Sequence, residues 1–423
     1  MANQTAVENK NEKGPAFEWW MLSYFGLGVG FSAFVRLLIP PYVTEATGSA
    51  GEAGIVMAIM SLSAVLAPVI GGFADKYRAH RLVLILGMFG IVLAFVAYAL
   101  SAADTLVTAL DAILMGVSVA AVNSTAMVFV VGAGLPRALE AKRLTTLNVL
   151  APVGQMVGGA VLGWAATAGL TYDQRFWLGA AFLLVISVIV WLTSAKPAKR
   201  ILLPEDKPNE HHDEQKKSYG LKQILISTFG LYLLILIFSS IGFNGFNAQV
   251  ANILPNVFGL SEAATSGVIS LAGVLSVIGM FVAGAWMARS GATTVYTGGS
   301  VLRLVGLLAL ALLGVVGQVP VLAVVIASQI LYLSRPFGRL PQPAMAVRFA
   351  IVPAGQATGW VGGAGAVGSF IGSLLGGLLA DAVGFNAINW MGAIAMGITV
   401  LLLVFGLWPA ERKKRAQEAA AVA

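Results

Sequence analysis

Apolar residues along this chain come in long runs separated by short polar breaks. A helix needs about twenty apolar residues to cross the hydrocarbon of a bilayer. About twelve runs of that length can be placed, near 17–43, 52–74, 82–102, 105–134, 144–170 and 174–194, then 220–257, 262–288, 292–317, 319–348, 355–380 and 387–409. The longest polar break, AKPAKRILLPEDKPNEHHDEQKKSYG, divides the series six and six. The pattern predicts an all-α polytopic membrane protein, with twelve transmembrane helices in two pseudo-symmetric six-helix bundles at 17–194 and 220–409. An N-tail (1–16), a central linker (195–219) and a C-tail (410–423) complete the layout. No short hydrophobic core with a small-residue cleavage site precedes Phe17, so the first run reads as an uncleaved span.

Charge sets the orientation. Of the 26 Lys and Arg, all but Arg36, Arg175, Arg303, Arg335 and Arg339 fall on one side of the membrane if the N-terminus is cytoplasmic. The positive-inside rule then places both termini in the cytoplasm. Trp19, Trp20, Trp191 and Trp408 sit at cytoplasmic span ends, where amphipathic rings prefer to lie. The net charge of +7 follows from this topology and needs no nucleic-acid partner.

Composition narrows the chemistry. With 58% hydrophobic and 11% charged residues, the chain is too apolar for a soluble fold. It has no cysteine, which excludes disulfides and thiolate metal sites. Of three histidines, His211 and His212 lie in the linker and His80 in a short loop, so no metal or other cofactor is expected. No nucleotide-binding loop, His-Glu-x-x-His or Ser-His-Asp arrangement supports an enzyme.

The halves repeat. At an offset of about 214, PVGQMVGGAVLG meets AVGSFIGSLLGG, with Gly154 and Gly158 over Gly368 and Gly372. Gly71 falls over Gly284, and Pro41 over Pro255. Gly368, Gly372 and Gly376 share one helix face, where two backbones can approach closely because lipid gives helices no hydrophobic reason to associate. Helices that slide on such faces suit a protein that rocks.

The loop GGFADKYRAHR, between the second and third runs, resembles the signature of the major facilitator superfamily, Gly-x-Leu-Ala-Asp-Arg/Lys-x-Gly-Arg-Arg/Lys. Gly71, Ala74, Asp75 and Lys76 match. Arg78 stands where that family has Gly, and Ala79 where it has a base. The resemblance extends to length, span number, linker and half-repeat. It implies a latch in which Asp75 meets the positive N-terminus of span 11 near Gly355, with Arg78 or Arg81 supplying partner charge. The stretch APVGQMVGG in span 5 is similar to a motif of exporting members, with Ala151 in place of its first Gly and longer spacing to Gly158.

Ionisable groups inside spans cost roughly 2.5–3.5 kcal/mol on insertion scales and so mark function. Arg36 and Asp111 lie at matching depths, ~10 Å and ~9 Å from the outer surface at 1.5 Å per residue. The resemblance places spans 1 and 4 along one cavity, so this pair is expected to act as a proton switch or as a fixed ion pair. Arg335 and Arg339, four apart in span 10, share a face, as do Asn244 and Asn247 in span 7; Gln329 lies further up span 10. Two guanidiniums with amides nearby suit a carboxylate or phosphate. Arg303 reads as structural.

The expectation is a secondary transporter working by alternating access. It is read as proton-coupled, with a small organic anion or zwitterion as exported cargo and membrane lipids as surroundings. Uptake of an organic anion, or lipid flipping on the same fold, remains open. A monomer in a bacterial inner membrane is the expected setting.

Overall fold

The computed structural model describes residues 14–101, 104–201 and 220–413. His211, His212 and most of the tails and linker lie outside the described residues. The described residues are 88% helical, with no strand among them. Twelve helices are long and apolar enough to cross a membrane. In the first half these are spans 1 to 6: Trp19–Thr47, Ala50–Lys76, His80–Leu100, Leu106–Val131, Arg137–Thr167 and Tyr172–Thr193. Spans 7 to 12 are Thr228–Phe258, Glu262–Ser290, Ala292–Val316, Val321–Arg339, Gln356–Val383 and Asn386–Lys413. The chain is a multi-pass membrane protein.

Local chemistry sets the span ends. Thr171 and Gln174 form a reciprocal capping box at the start of span 6. The Ser261 side chain accepts from the Ala264 N–H at the start of span 8. Gly259 closes span 7 with φ 68°, a left-handed conformation that glycine adopts without steric cost. Span 10 is shorter than the sequence suggests. It runs through Pro336, turns at Leu340, and the chain resumes as a separate helix, Gln342–Phe349. Proline lacks the N–H that a continuing helix needs but is suited to a first turn, so Pro341 and Pro343 begin a new helix.

Two spans depart from α geometry. Span 1 holds a π segment, Gly28–Val35, followed by Pro40 and Pro41. Span 2 is interrupted by a 3-10 turn at Ala64–Leu66.

The helices pack into two compact units, Met1–Leu38 with Ser63–Glu214, and Ile39–Leu62 with Gln215–Ala423. In the first, span 1 packs on span 5, span 3 on spans 4 and 6, and the second part of span 2 on span 4. In the second, span 7 packs on span 11, span 9 on spans 10 and 12, and span 8 on span 10. Adding six to each number in the first set gives the second, so the repeat holds at the level of helix pairing. Residues 39–62 belong by sequence to the first half and by packing to the second unit. Leu86, Leu93 and Leu100 of span 3 are exposed, as expected of a face turned to lipid rather than to core.

Candidate functional site

In the first unit, Asp111 is buried within span 4, and its Oδ2 has no hydrogen-bond donor. Tyr98 of span 3 lies within electrostatic reach and stacks on Phe176 of span 6, with centroids 5.5 Å apart. Arg36 is also buried, immediately after the π segment, with its guanidinium 5.9 Å from the Phe31 ring centroid. The described salt bridges join His80 to Asp75, Arg143 and Arg200 to Glu18, and Arg348 to Glu411.

The small-residue faces bring span 1 to span 5 and span 7 to span 11. A Cβ on Gly154 would collide with the Phe25 carbonyl oxygen, and one on Gly158 would lie 2.8 Å from the Ala33 Cβ. In the second unit, a Cβ on Gly368 would collide with the Ile237 carbonyl oxygen, and one on Gly372 would lie 2.6 Å from that of Ile241. Gly376 is looser, its nearest neighbour being Gly245 O at 3.6 Å.

The polar residues of the second unit point several ways. Asn244 donates to Ser369 Oγ of span 11 at 2.7 Å, and Asn247 donates to the carbonyl of Phe243 on its own helix. Gln329 donates to Val268 O of span 8 at 3.0 Å, while its buried Oε1 has no donor. Arg335 is half-buried and Arg339 exposed. Arg303 is buried: it donates to Ser334 Oγ at 3.1 Å and Ser239 Oγ at 3.0 Å, and lies 4.3 Å from the Phe243 ring centroid. Two hydroxyls and an aromatic face thus hold a charge in the membrane interior.

At the end of span 2, Asp75 is 63% exposed and pairs with Nε2 of the buried His80 at 2.8 Å. Arg78 has φ 50°, the left-handed region, and is the only such non-glycine among the described residues. Lys76 lies over the Tyr77 ring, and Arg81 donates to Trp191 O and Ser194 Oγ at the end of span 6. A Cβ on Gly71 would meet only the Ser124 Cβ, at 3.9 Å.

Two clusters lie outside the residues that the sequence reading singled out. Glu18 accepts from Arg143 at 2.8 Å, Arg200 at 2.7 Å and the Trp20 indole at 2.7 Å. Burial alone would raise its carboxyl pKa; hydrogen bonds from Arg200 and Trp20 and the charges of Arg143 and Arg200 outweigh burial and hold it below the ordinary value. The second cluster centres on Asp381 at the end of span 11, which accepts from Ser49 Oγ and from the N–H groups of Ala50 and Gly51. Its sequence signal was an acid in the last turn of a span.

Twelve spans in two repeated halves, with ionisable groups buried inside them, define a polytopic carrier. The chain belongs to the Major Facilitator Superfamily, whose family model matches residues 20–338. It is a transporter and not an enzyme. Among solved structures, the nucleoside transporter NupG has a similar fold at TM-score 0.70 and 11% identity, over 92% of this chain and 98% of that one. A POT family transporter in complex with 5-aminolevulinic acid is similar at TM-score 0.71 and 16% identity, over 92% and 95%. A peptide transporter POT in complex with alafosfalin is similar at TM-score 0.72 and 13% identity, over 93% and 94%. At these identities the likeness concerns the fold alone. A sequence comparison with curated proteins finds no match.

Proposed function

We propose that the protein is a proton-coupled secondary transporter that moves a small organic anion or zwitterion by alternating access, with export as its working direction. Asp111 carries the reading: an acid buried within span 4, with one oxygen lacking any donor. A carboxylate inside hydrocarbon is costly, so such a group takes up and releases its proton as water leaves and reaches it. Tyr98, beside it on span 3, offers a hydroxyl through which that change can be felt. Arg36 shares the unit and acts as a charge that responds to the state of Asp111.

The anion reading rests on cations that outnumber acids inside the spans, with Arg335 as the half-buried one on span 10. Asn244, Asn247, Gln329 and Arg339 complete the proposed binding segment. The Asp75 loop, with Gly71, Lys76, Arg78 and Arg81, acts as a latch on the cytoplasmic side, and both termini lie in the cytoplasm of a bacterial inner membrane. The degenerate span 5 motif supports export. Uptake of an organic anion is the second reading, because that motif lacks its first glycine at Ala151.

The test is transport in proteoliposomes under an imposed pH gradient, with a panel of anionic, zwitterionic, cationic and lipid-like compounds. Gradient-dependent movement of an anion or zwitterion is the expected result. Movement of cations or lipids alone, or indifference to the gradient, would overturn the reading.

A further inference from the structure

We propose that spans 8 and 10 are joined by a buried, ordered water, held between Gln329 Oε1 and Ser276 Oγ. The inference stands apart from the transport reading above and goes beyond it: it assigns a ligand, water, to a seam inside the second unit.

Helical repeat builds the seam. On span 8, Thr265, Val268, Ala272, Ser276, Gly279 and Ala283 are all buried and recur at steps of three and four, so they form one stripe. Two contacts place span 10 on this stripe. Gln329 donates to Val268 O at 3.0 Å. Further along, a Cβ on Gly279 would lie 3.1 Å from Pro336 Cγ and 3.3 Å from Leu333 Cδ1. Both helices advance in the same sense between these contacts, so Ser276, one turn before Gly279, faces the stretch of span 10 between Gln329 and Leu333.

The seam holds two polar atoms without partners. Donation from Nε2 to a main-chain carbonyl orients the Gln329 amide and leaves Oε1 as a buried acceptor with no donor. The Ser276 hydroxyl, on a residue 2% exposed, has no partner either. Other buried hydroxyls of this unit close onto the carbonyl four residues back: Thr297 on Thr293, Ser300 on Tyr296 and Thr399 on Ala395. Ser276 does not. Inside a membrane no bulk solvent makes good such a loss, so a lone polar atom is costly to keep. One small molecule that donates to Oε1 and bonds to Oγ satisfies both.

Spacing and chemistry select water. The Val268 carbonyl points along its helix toward Ala272, which puts the Gln329 amide about one turn, ~5.4 Å, from Ser276. That is too far for a direct bond. A water making two bonds of ~2.8 Å spans ~5.6 Å. The side chain between them on the stripe is Ala272, fully buried, which ends at Cβ. Both groups are neutral and call for no ion, and a polar site closed to bulk solvent is where proteins keep ordered water. Thr265 Oγ1 also lacks a partner, but it lies ~16 Å along the helix from Ser276 and belongs to no shared site. The water fixes Gln329 from behind: Nε2 rests on Val268, and Oε1 rests on span 8 through the water.

The test is a double-mutant cycle on the melting temperature of the full-length protein: wild type, Ser276→Ala, Gln329→Met and the two together. Ser276→Ala alone is expected to lower the melting temperature by roughly 1–3 °C, because the water loses a partner and Gln329 Oε1 loses a well-held donor. In the Gln329→Met background the same change is expected to cost nothing, because the hydroxyl is already alone. A rise on Ser276→Ala in the wild-type background would mean a dry hydroxyl and would overturn the proposal. Equal falls in both backgrounds would overturn it too. A wild-type structure at a resolution that shows ordered water is the second measurement. Density within ~3 Å of both Gln329 Oε1 and Ser276 Oγ is expected. A direct bond between the two side chains, or no density there, would overturn the site. Neither readout uses substrate or a pH gradient, so the result is separate from that of the proton-coupled reading.

Discussion

Gly154 of span 5 lies directly against the Phe25 carbonyl of span 1, so close that a single added methyl group would force the two helices apart. Gly368 meets Ile237 in the same way between spans 11 and 7. Gly154→Ala and Gly368→Ala are each expected to lower stability by about 1–3 kcal/mol through overpacking. Gly376→Ala is the control, because its nearest neighbour would be at ordinary contact distance, 3.6 Å. It should be neutral, or stabilising by up to ~1 kcal/mol from helix propensity. Thermal unfolding of the purified variants checks the contrast.

Arg78 holds a left-handed backbone at φ 50°. A side chain there costs about 1–2 kcal/mol relative to ordinary helical backbone, while glycine is nearly indifferent. Arg78→Gly is therefore expected to raise stability by about 0.5–1 kcal/mol after the added freedom of the unfolded chain is subtracted. A higher unfolding midpoint is the check; a lower one would mean that the Arg78 side chain contributes more than the strain costs.

The fold was legible because a membrane span must be both apolar and long, and twelve such runs leave little choice of architecture. Glycine spacing marked the faces of spans 5 and 11 where another backbone comes close, without naming the helix that meets them. The polar sites were less legible. Matched depth placed Arg36 and Asp111 at one height, but height leaves the rotation of each helix about its axis free. Sharing a face did not give Asn244 and Asn247 one partner: Asn244 bonds to Ser369 of span 11 and Asn247 to the Phe243 carbonyl of its own helix. Asp381 escaped notice because its partners are mostly backbone N–H groups, which every residue carries. The π segment of span 1 leaves no compositional mark beyond its glycines.

Glu18 ties together Arg143, Arg200 and Trp20. Its pKa is depressed on folding, so its contribution is complete above the ordinary value of 4.5 and is lost as pH falls through the lower folded value. Glu18→Gln should cost about 1–3 kcal/mol at neutral pH, the range for hydrogen bonds to charged groups. The gap between wild type and variant should narrow as pH falls below the ordinary value of 4.5. Unfolding midpoints across pH 3.5–8, the range set on the principle of proton linkage, measure this at about half-unit steps.

Arg303 and Arg335 should separate stability from binding. Arg303→Gln removes the guanidinium that donates to the buried Ser239 and Ser334 hydroxyls and is expected to cost about 1–3 kcal/mol of stability. Arg335→Gln should weaken an anionic ligand by about tenfold or more. Thermal shift of each variant with and without the ligand distinguishes the two. Equal effects on binding would remove span 10 from the site.

The most direct test of the account is a comparison of wild type and Asp111→Asn in proteoliposomes. Substrate exchange at equal pH and substrate accumulation under a pH gradient are measured on the same preparations. The account predicts that Asp111→Asn retains exchange and loses gradient-driven accumulation, because the carrier still rocks but no longer moves a proton. Accumulation undiminished in the variant would contradict it and place proton coupling, if there is any, elsewhere in the chain.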